Sequence, residues 1–190
     1  ELNAGGVERG TLEFARYLVQ SGHESLVLSN GGRMQHTLEE EGTRHITMPI
    51  HKKSLFSFRY IWKIRSLLLQ EQIDIIHIRS RMPAWIAFTA WKMIPPPKRP
   101  KLVTTFHGYY SVNAYSEIMS KGEALICVSQ SVKNYVLNNY PLTKKRVLNV
   151  IHRGIDSKEF PYGFRADPEW LKQWENEGHS LENKFVIALP

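Results

Sequence analysis

Short runs of β-forming residues recur along the chain at intervals of about 20 to 30 residues. They occupy residues 25–29, 45–48, 75–78, 101–105, 124–128 and 146–151. This spacing leaves room for a helical crossover between successive strands, and strands joined in that way lie parallel. The alternation therefore predicts an α/β fold built around a parallel sheet.

The segments between these runs carry the periodicity of helices. Leu12, Ala15, Leu18 and Val19 fall on one helical face, and Phe58, Ile61, Ile64 and Leu68 fall on another. Helix ends are predicted at Gly22, at Gly42 and before the prolines at 95–97. We therefore expect a doubly wound, mostly parallel, Rossmann-like sheet, whose ligands bind beyond the carboxyl ends of the strands.

Composition limits the class of protein further. Hydrophobic residues make up 42% and charged residues 23%, which is typical of a soluble globular domain. Twenty-five Lys and Arg against 18 Asp and Glu give a net charge of +7, which favours anionic partners. The single cysteine, Cys127, excludes an intrachain disulfide and is expected to be buried and inert. No metal-ligand spacing occurs, and no apolar stretch or leader segment predicts export, so we expect a cytoplasmic location.

Five polar motifs occur in order along the chain, the first near its start and the other four at the ends of predicted strands. They read Asn-Ala-Gly-Gly-Val-Glu-Arg at residues 3–9, Ile-Arg-Ser-Arg at 78–81, Thr-Phe-His-Gly at 105–108, Val-Ser-Gln-Ser at 128–131 and Ile-His-Arg-Gly-Ile-Asp at 151–156. This ordered series resembles glycosyltransferase family 4, whose members have the GT-B fold. The resemblance implies two Rossmann-like domains with the active site between them, and transfer of a sugar from a nucleotide-sugar donor to a glycan or lipid-linked acceptor with retention of configuration.

On this resemblance, residues 1–183 correspond to the amino-terminal, acceptor-side domain without its first strand. Residues 184–190 are then either the start of the donor-binding domain or a strand that fills the empty slot. In the second case the strand comes from the same chain or from a neighbouring copy, which would make a homo-oligomer. We expect the 190 residues to be inactive alone, because the resemblance places most donor contacts in the other domain. It implies no metal and no cofactor besides the nucleotide-sugar co-substrate.

The glycines and the histidine of these motifs are the first candidate site residues. Gly5 and Gly6 permit close backbone approach, and free amides at a helix start attract phosphate, although a plain tight turn is the alternative. His107 and Gly108 follow a predicted strand. The resemblance implies that His107 lies near the donor sugar and the reaction centre and donates a hydrogen bond to a sugar hydroxyl. We therefore assign it as the catalytic residue, acting by positioning rather than as a base. A structural or merely exposed histidine is the alternative.

Further candidates follow other strands. Arg79 and Arg81 flank Ser80, and two guanidinium groups there suit a phosphorylated or acidic acceptor, although solvated surface arginines are the alternative. Tyr109, with Tyr110, is expected to line the acceptor pocket or to cover the core. Ser129 and Arg153 are assigned to substrate binding by their place in the motif series. Arg153 stands where many relatives carry asparagine, and Asp156 is expected to cap a turn.

Residues 51–65 mix cations with large apolar side chains. Such a segment suits an anionic membrane surface, which predicts a peripheral position on the cytoplasmic face of the inner membrane. A core-facing helix with a basic outer face is the alternative, and the sequence alone favours it slightly.

Two other functions remain open on the sequence. One is a sugar-nucleotide epimerase of GT-B-like fold, and the other is a basic nucleic-acid-binding module. The positive charges are dispersed and no nucleic-acid recognition signature organises them, so we expect no nucleic-acid partner. We prefer a transferase of lipopolysaccharide or other surface-glycan biosynthesis, with transfer of a hexose or related sugar.

Overall fold

A computed structural model describes residues 2–3, 5–52, 54–154, 157–158 and 161–179. The chain forms two compact units, Glu1–Arg153 and Gly154–Pro190. The predicted domain boundary at 183/184, the strand predicted at 184–190 and the turn at Asp156 lie outside the described residues. Described residues of the second unit include helix α7, Pro168–Trp174, which is capped by the Asp167 side chain and followed by a kinked turn, Glu175–His179, in which Gly178 has a φ of 90°.

The first unit contains all the strands among the described residues. They are β1 Leu26–Ser29, β2 Arg44–Thr47, β3 Ile75–Ile78, β4 Lys101–Phe106, β5 Ala124–Cys127 and β6 Val147–Val150. Every pairing is parallel: β1 pairs with β2, and the other four form a sheet in the order β3-β4-β5-β6. The predicted parallel α/β class is confirmed, with strand ends within one residue of prediction, although the described strands make two sheets rather than one.

Six α-helices are described in the first unit, the first before β1 and the other five between successive strands. They are α1 Gly6–Gln20, α2 Gln35–Glu40, α3 Tyr60–Gln70, α4 Arg81–Lys92, α5 Ala114–Glu117 and α6 Gln130–Asn139, with 3₁₀ turns at Leu55–Arg59, Pro96–Lys98, Ile118–Lys121 and Pro141–Lys145. Gly22, just past α1, has a φ of 80°, in the left-handed region that a glycine adopts without steric cost. None of the described helices has the length and apolar character needed to cross a bilayer.

Helix α4 joins the two main parts of the core. Its Ala84, Ala87 and Trp91 pack with residues of β4, β5 and α6, while its Met82 and Ile86 pack with α3. A helix that is apolar on opposite sides is buried, which explains why α4 carries so few charges. Cys127 lies fully inside the first of these clusters, and burial raises the pKa of its thiol, as expected for an inert cysteine.

The start of the chain is held beside the end of β1. The Leu2 amide donates to the Gly31 carbonyl at 2.7 Å, and the Met34 amide donates to the Leu2 carbonyl at 2.9 Å. A Cβ on Gly32 would lie 2.6 Å from the Leu2 backbone, so only glycine fits at this crossing. These contacts fix the segment that leads into α1. Gly5, at the end of this segment, and Gly6, the first residue of α1, are called the glycine loop below.

Candidate functional site

The residues that follow three strands meet the start of helix α1. Arg79 directly follows β3, His107 directly follows β4, and Arg153 lies three residues after β6. Arg153 Nη2 is 2.9 Å from His107 Nδ1, and Arg79 Nη2 is 3.5 Å from the Val7 carbonyl oxygen of α1. The structure thus brings the glycine loop, both arginines and the histidine to one rim, as parallel strands with a common carboxyl edge require.

Two glycines of α1 make room for the guanidinium groups. A Cβ on Gly6 would lie 2.8 Å from Arg153 Nη1, and a Cβ on Gly10 would lie 3.3 Å from Arg79 Nη2. Gly5 precedes the helix in an extended conformation, and no side chain caps the helix start. Glu8 lies in the first turn, where a carboxylate complements the helix dipole. The surface here is therefore shaped by glycines so that cations lie directly against the helix.

His107 is a neutral histidine at this rim. Its pKa is lowered to about 3, mainly by burial and also by the nearby positive charges of Arg79 and Arg153 and by His77. Its Nδ1 contacts Arg153, while its Nε2 is buried and has no hydrogen-bond partner among the described residues. One ring nitrogen is therefore occupied and the other is left for a ligand.

Arg79 is a largely buried cation beside a second cation. Burial is the main cause that lowers its pKa, Arg153 adds to the effect, and Glu8 opposes it. Its Nε is buried without a hydrogen-bond partner among the described residues. Neither Arg79 nor Arg153 forms an ion pair within the part of the chain that the structure describes. An anion bound between them would supply the missing counter-charge.

Sequence reasoning missed His77, which lies beneath Arg79. His77 Nε2 is 2.7 Å from Thr105 Oγ1, and its ring meets that of Phe14 edge-on with centroids 5.7 Å apart. Burial, with a contribution from Arg79, lowers its pKa to about 4. Its position two residues before Arg79 was the available signal, because alternate residues of a strand share a face.

The two arginines of the Ile-Arg-Ser-Arg motif have different neighbours. Arg81 donates to Ser116 Oγ at 3.2 Å, and its Cζ lies 4.9 Å from the ring centre of Tyr110 and 5.4 Å from that of Tyr115. Ser80 is exposed at the start of α4 and its hydroxyl does not cap the helix. Binding of one ligand by both arginines stays a prediction. In the structure, Arg81 already contacts Ser116, Tyr110 and Tyr115.

The residues after His107 divide between surface and core. Gly108 faces open space, and the exposed ring of Tyr109 packs on Tyr135 with centroids 4.9 Å apart. Tyr110 packs on Phe106, and its hydroxyl accepts a hydrogen bond from the His107 amide at 3.4 Å. Tyr109 is therefore accessible to an acceptor, whereas Tyr110 supports the loop that carries His107.

Ser129 has a structural task that the motif series did not reveal. Its Oγ accepts from the Val132 amide at 3.2 Å, capping α6, and lies 2.8 Å from Ser131 Oγ. Its assignment to substrate binding stays a prediction. Among the described residues no cluster of His, Cys, Asp or Glu is suited to hold a metal ion.

Parallel strands, a glycine-shaped helix start and cations at the strand ends define a Rossmann-like domain of the kind that binds phosphorylated ligands at this edge. The sequence model of Glycosyltransferase Family 4 matches residues 4–159, and the chain belongs to this family. No curated protein sequence matches it significantly.

Solved structures agree with this assignment. A glycosyltransferase from Rickettsia africae ESF-5 superposes with a TM-score of 0.73 at 34% identity, over 92% of this chain and 46% of that one. Anabaena HepE, solved in complex with UDP and glucose, superposes with a TM-score of 0.67 at 15% identity, over 92% of this chain and 47% of that one, and shows likeness of fold. The chain thus spans about half the length of both structures.

Proposed function

We propose that this chain is the acceptor-side domain of a retaining glycosyltransferase that moves a sugar from a nucleotide-sugar donor to a glycan or lipid-linked acceptor. The observation that carries the proposal is the convergence of Gly6, Arg79, His107 and Arg153 on one rim. The UDP and glucose bound to Anabaena HepE support a nucleotide sugar as donor. Family membership supports transferase chemistry.

His107 serves this reaction by positioning. Its buried Nε2 has no described partner and suits a hydrogen bond to a sugar hydroxyl. A general base works best with a pKa near the operating pH, and a pKa of about 3 makes this imidazole a poor proton acceptor. The low pKa therefore supports the neutral hydrogen-bonding role over acid–base catalysis.

Arg79 and Arg153 favour anionic substrates. Two positive charges with no ion-pair partner among the described residues strengthen binding of a phosphate or carboxylate, especially where water is partly excluded. A donor diphosphate and a phosphorylated acceptor both offer such groups. The free amides at the start of α1 add to the same attraction.

A surface-glycan pathway on the membrane belongs to the same proposal. Phe56 is 81% exposed and Trp62 is 64% exposed, and Lys52 and Lys63 lie on the surface nearby in the chain. No Asp or Glu occurs between Glu41 and Glu71. The other face of α3, with Tyr60, Ile64 and Leu68, packs into the core. The core-facing interpretation therefore describes one face of α3, and the exposed rings and cations of this segment support the proposed contact with a membrane.

The test is a screen of nucleotide-sugar donors against glycan and lipid-linked acceptors with the full-length enzyme. His107→Ala should reduce turnover by about 100-fold, because loss of a reaction-centre contact misplaces the sugar. His23→Ala is the matched control, since His23 is an exposed histidine just after α1. Normal turnover by His107→Ala would contradict the assignment of His107 to the site. Conversion of the nucleotide sugar to an epimer in reactions without acceptor would indicate an epimerase instead.

The 190 residues alone should not catalyse transfer. They span less than half of each of the two solved structures, and the proposed cleft needs the opposite domain to stabilise the leaving diphosphate. We expect this chain to bind an acceptor weakly and to leave the donor unchanged in the same screen.

A further inference from the structure

The contact between Arg153 and His107 determines which ring nitrogen carries the proton. A guanidinium group has only N–H donors, so His107 Nδ1, 2.9 Å from Arg153 Nη2, must accept the hydrogen bond. The neutral imidazole then carries its hydrogen on Nε2. That nitrogen is buried and has no hydrogen-bond partner in the described parts of the chain, so its N–H group is available to donate to a ligand.

The glycine loop makes this arrangement possible. A Cβ at Gly6 would lie 2.8 Å from Arg153 Nη1, which is closer than side chains approach. The Arg153 side chain is exposed to solvent, yet it lies between α1 and the histidine. The position of its guanidinium group is therefore defined on two sides, by the Gly6 backbone and by the imidazole.

We propose that Arg153 is a positioning residue, which locks His107 as the Nε2–H tautomer so that this N–H donates to an oxygen atom of the substrate. The proposal rests on the proposed function for the identity of that oxygen, but the tautomer itself does not depend on it. Asparagine at this position would offer both a donor and an acceptor and would not dictate the tautomer. Arg153 thus removes an ambiguity that asparagine leaves.

The groups that face His107 come from several elements, and Arg79, Arg153 and His77 all lower its pKa. Arg79 and His77 approach from β3, Arg153 from the segment after β6, and Tyr110 from the same loop as His107. Glu8 of α1 interacts with Arg79 and opposes the lowering of its pKa. Removing Arg153 takes away one positive charge and the donor to Nδ1, so protonation becomes easier and both tautomers become accessible.

The test is ¹⁵N NMR of the histidine rings in the full-length protein. Wild type should show His107 as a single Nε2–H tautomer that does not titrate between pH 5 and about 8. Arg153→Asn should give mixed tautomers and a higher His107 pKa. Arg153→Gln carries the same donor and acceptor groups as asparagine and should likewise give mixed tautomers and a higher His107 pKa. Arg153→Lys retains the charge and has only N–H donors, so it should keep both the tautomer and the low pKa.

Arg146→Asn is the matched control, because Arg146 is an exposed arginine just before β6, at the opposite end of the strand from Arg153. It changes the net charge equally and should leave His107 unaffected. An Nδ1–H tautomer in wild type, or an unchanged spectrum in Arg153→Asn, would overturn the proposal. Equal thermal midpoints of all variants confirm that the comparison is between folded proteins.

A kinetic arm separates this proposal from the proposed function. With the full-length enzyme, Arg153→Asn should lower kcat by about 10-fold, and Arg153→Lys, which has only N–H donors, should recover part of it. If the tautomer changes but kcat does not, the positioning role is wrong while the transferase proposal stands. If no donor and acceptor pair reacts with wild type, the transferase proposal fails and the NMR result still decides the tautomer.

Discussion

His77 and Thr105 are joined by a hydrogen bond of 2.7 Å between neighbouring strands. Each lies two residues before a residue of the candidate site, Arg79 and His107 respectively. The ring of His77 is largely buried, and burial together with Arg79 lowers its pKa to about 4. The folded chain therefore keeps His77 neutral, because its protonation would add a third positive charge close to Arg79.

This relationship predicts a dependence of stability on pH. Above the ordinary pKa of 6.5, His77 is neutral in both the folded and the unfolded chain and has no effect. Between 6.5 and about 4 only the unfolded chain binds the proton, so the free energy of unfolding falls as the pH falls. The full shift corresponds to about 3 kcal/mol. Urea unfolding at several pH values, followed by tryptophan fluorescence, measures the slope.

His77→Gln should flatten this slope, because glutamine does not titrate. His23→Gln replaces an exposed histidine and should keep the wild-type slope. If His77→Gln unfolds with the same pH dependence as wild type, another group is responsible for the acid sensitivity. His107→Gln should flatten the slope by a similar amount and over a range that extends to about pH 3, because the pKa of that ring is lowered to about 3.

A methyl group at Gly6 should impair function with little loss of stability. Alanine is favoured over glycine inside a helix, but the added Cβ would lie 2.8 Å from Arg153 Nη1 and would displace the guanidinium group. Gly6→Ala should therefore reduce turnover of the full-length enzyme by about 10-fold. Steady-state kinetics and thermal unfolding of the same sample measure the two effects.

Gly22→Ala is the matched comparison with the opposite result. Its Cβ would meet nothing within 4 Å, but its φ of 80° is strained for alanine. It should lose about 1 kcal/mol of stability and keep full activity. A Gly6→Ala enzyme with normal kinetics would show that the Arg153 position is unimportant.

The strands and the general place of the site follow from the sequence for a physical reason. Residues 75–78, for example, are a β-rich run bounded by the charged Asp74 and Arg79, so the pattern marks its ends. Parallel strands share a carboxyl edge, and a residue that follows a strand is therefore assigned to that edge without knowledge of distances. His107, Arg79 and Arg153 were located in this way.

The direction of each side chain at that edge does not follow from the sequence. Arg79 and Arg81 are two residues apart, yet Arg81 lies at the first position of α4 and packs over Tyr110 and Tyr115. The contact of Arg153 with His107 joins residues 46 positions apart and depends on the absence of a Cβ at Gly6. Such contacts are set by tertiary packing, which a strand or helix pattern does not encode.

The two arginines should respond differently to substitution. Arg81→Met should cost about 1 to 2 kcal/mol of stability, because it removes the hydrogen bond to Ser116 and the contacts of the cation with two tyrosine rings. Arg79→Met should leave stability equal or higher, since it replaces an unpaired buried cation by an apolar side chain. Chemical denaturation of both variants measures this difference.

Substrate affinity should show the reverse order. Arg79→Met should raise the KM for the anionic substrate of the full-length enzyme by about 10-fold or more, since a charge-assisted contact is lost. Arg81→Met should leave it nearly unchanged once the protein is folded. Equal effects of both substitutions on KM would support the prediction from the sequence motif that Arg79 and Arg81 bind the same ligand.

The basic aromatic surface of residues 51–65 should bind anionic bilayers. Exposed Phe56 and Trp62 supply apolar rings for the interface, and each exposed lysine contributes about 1 kcal/mol near an anionic surface. Replacing both Lys52 and Lys63 by Gln should therefore weaken binding to phosphatidylglycerol vesicles by about 30-fold. Vesicle co-sedimentation at increasing salt measures this, and binding should fall with salt because screening shortens the reach of the charges.

Aromatic substitution tests the second half of the same surface. Trp62→Ser should reduce vesicle binding, whereas Tyr17→Ser should not, although both rings are 64% exposed, because Tyr17 lies on α1 outside this segment. Tyr60, Ile64 and Leu68 hold α3 to the core, so Trp62→Ser should leave the fold intact. Equal binding to vesicles of neutral lipid would contradict a membrane role. So would a second result, in which Trp62→Ser abolishes self-association of the protein but leaves vesicle binding unchanged. The second result would instead assign this face to a contact between copies of the chain, since exposed apolar rings with no bilayer to enter are most readily covered by another protein surface.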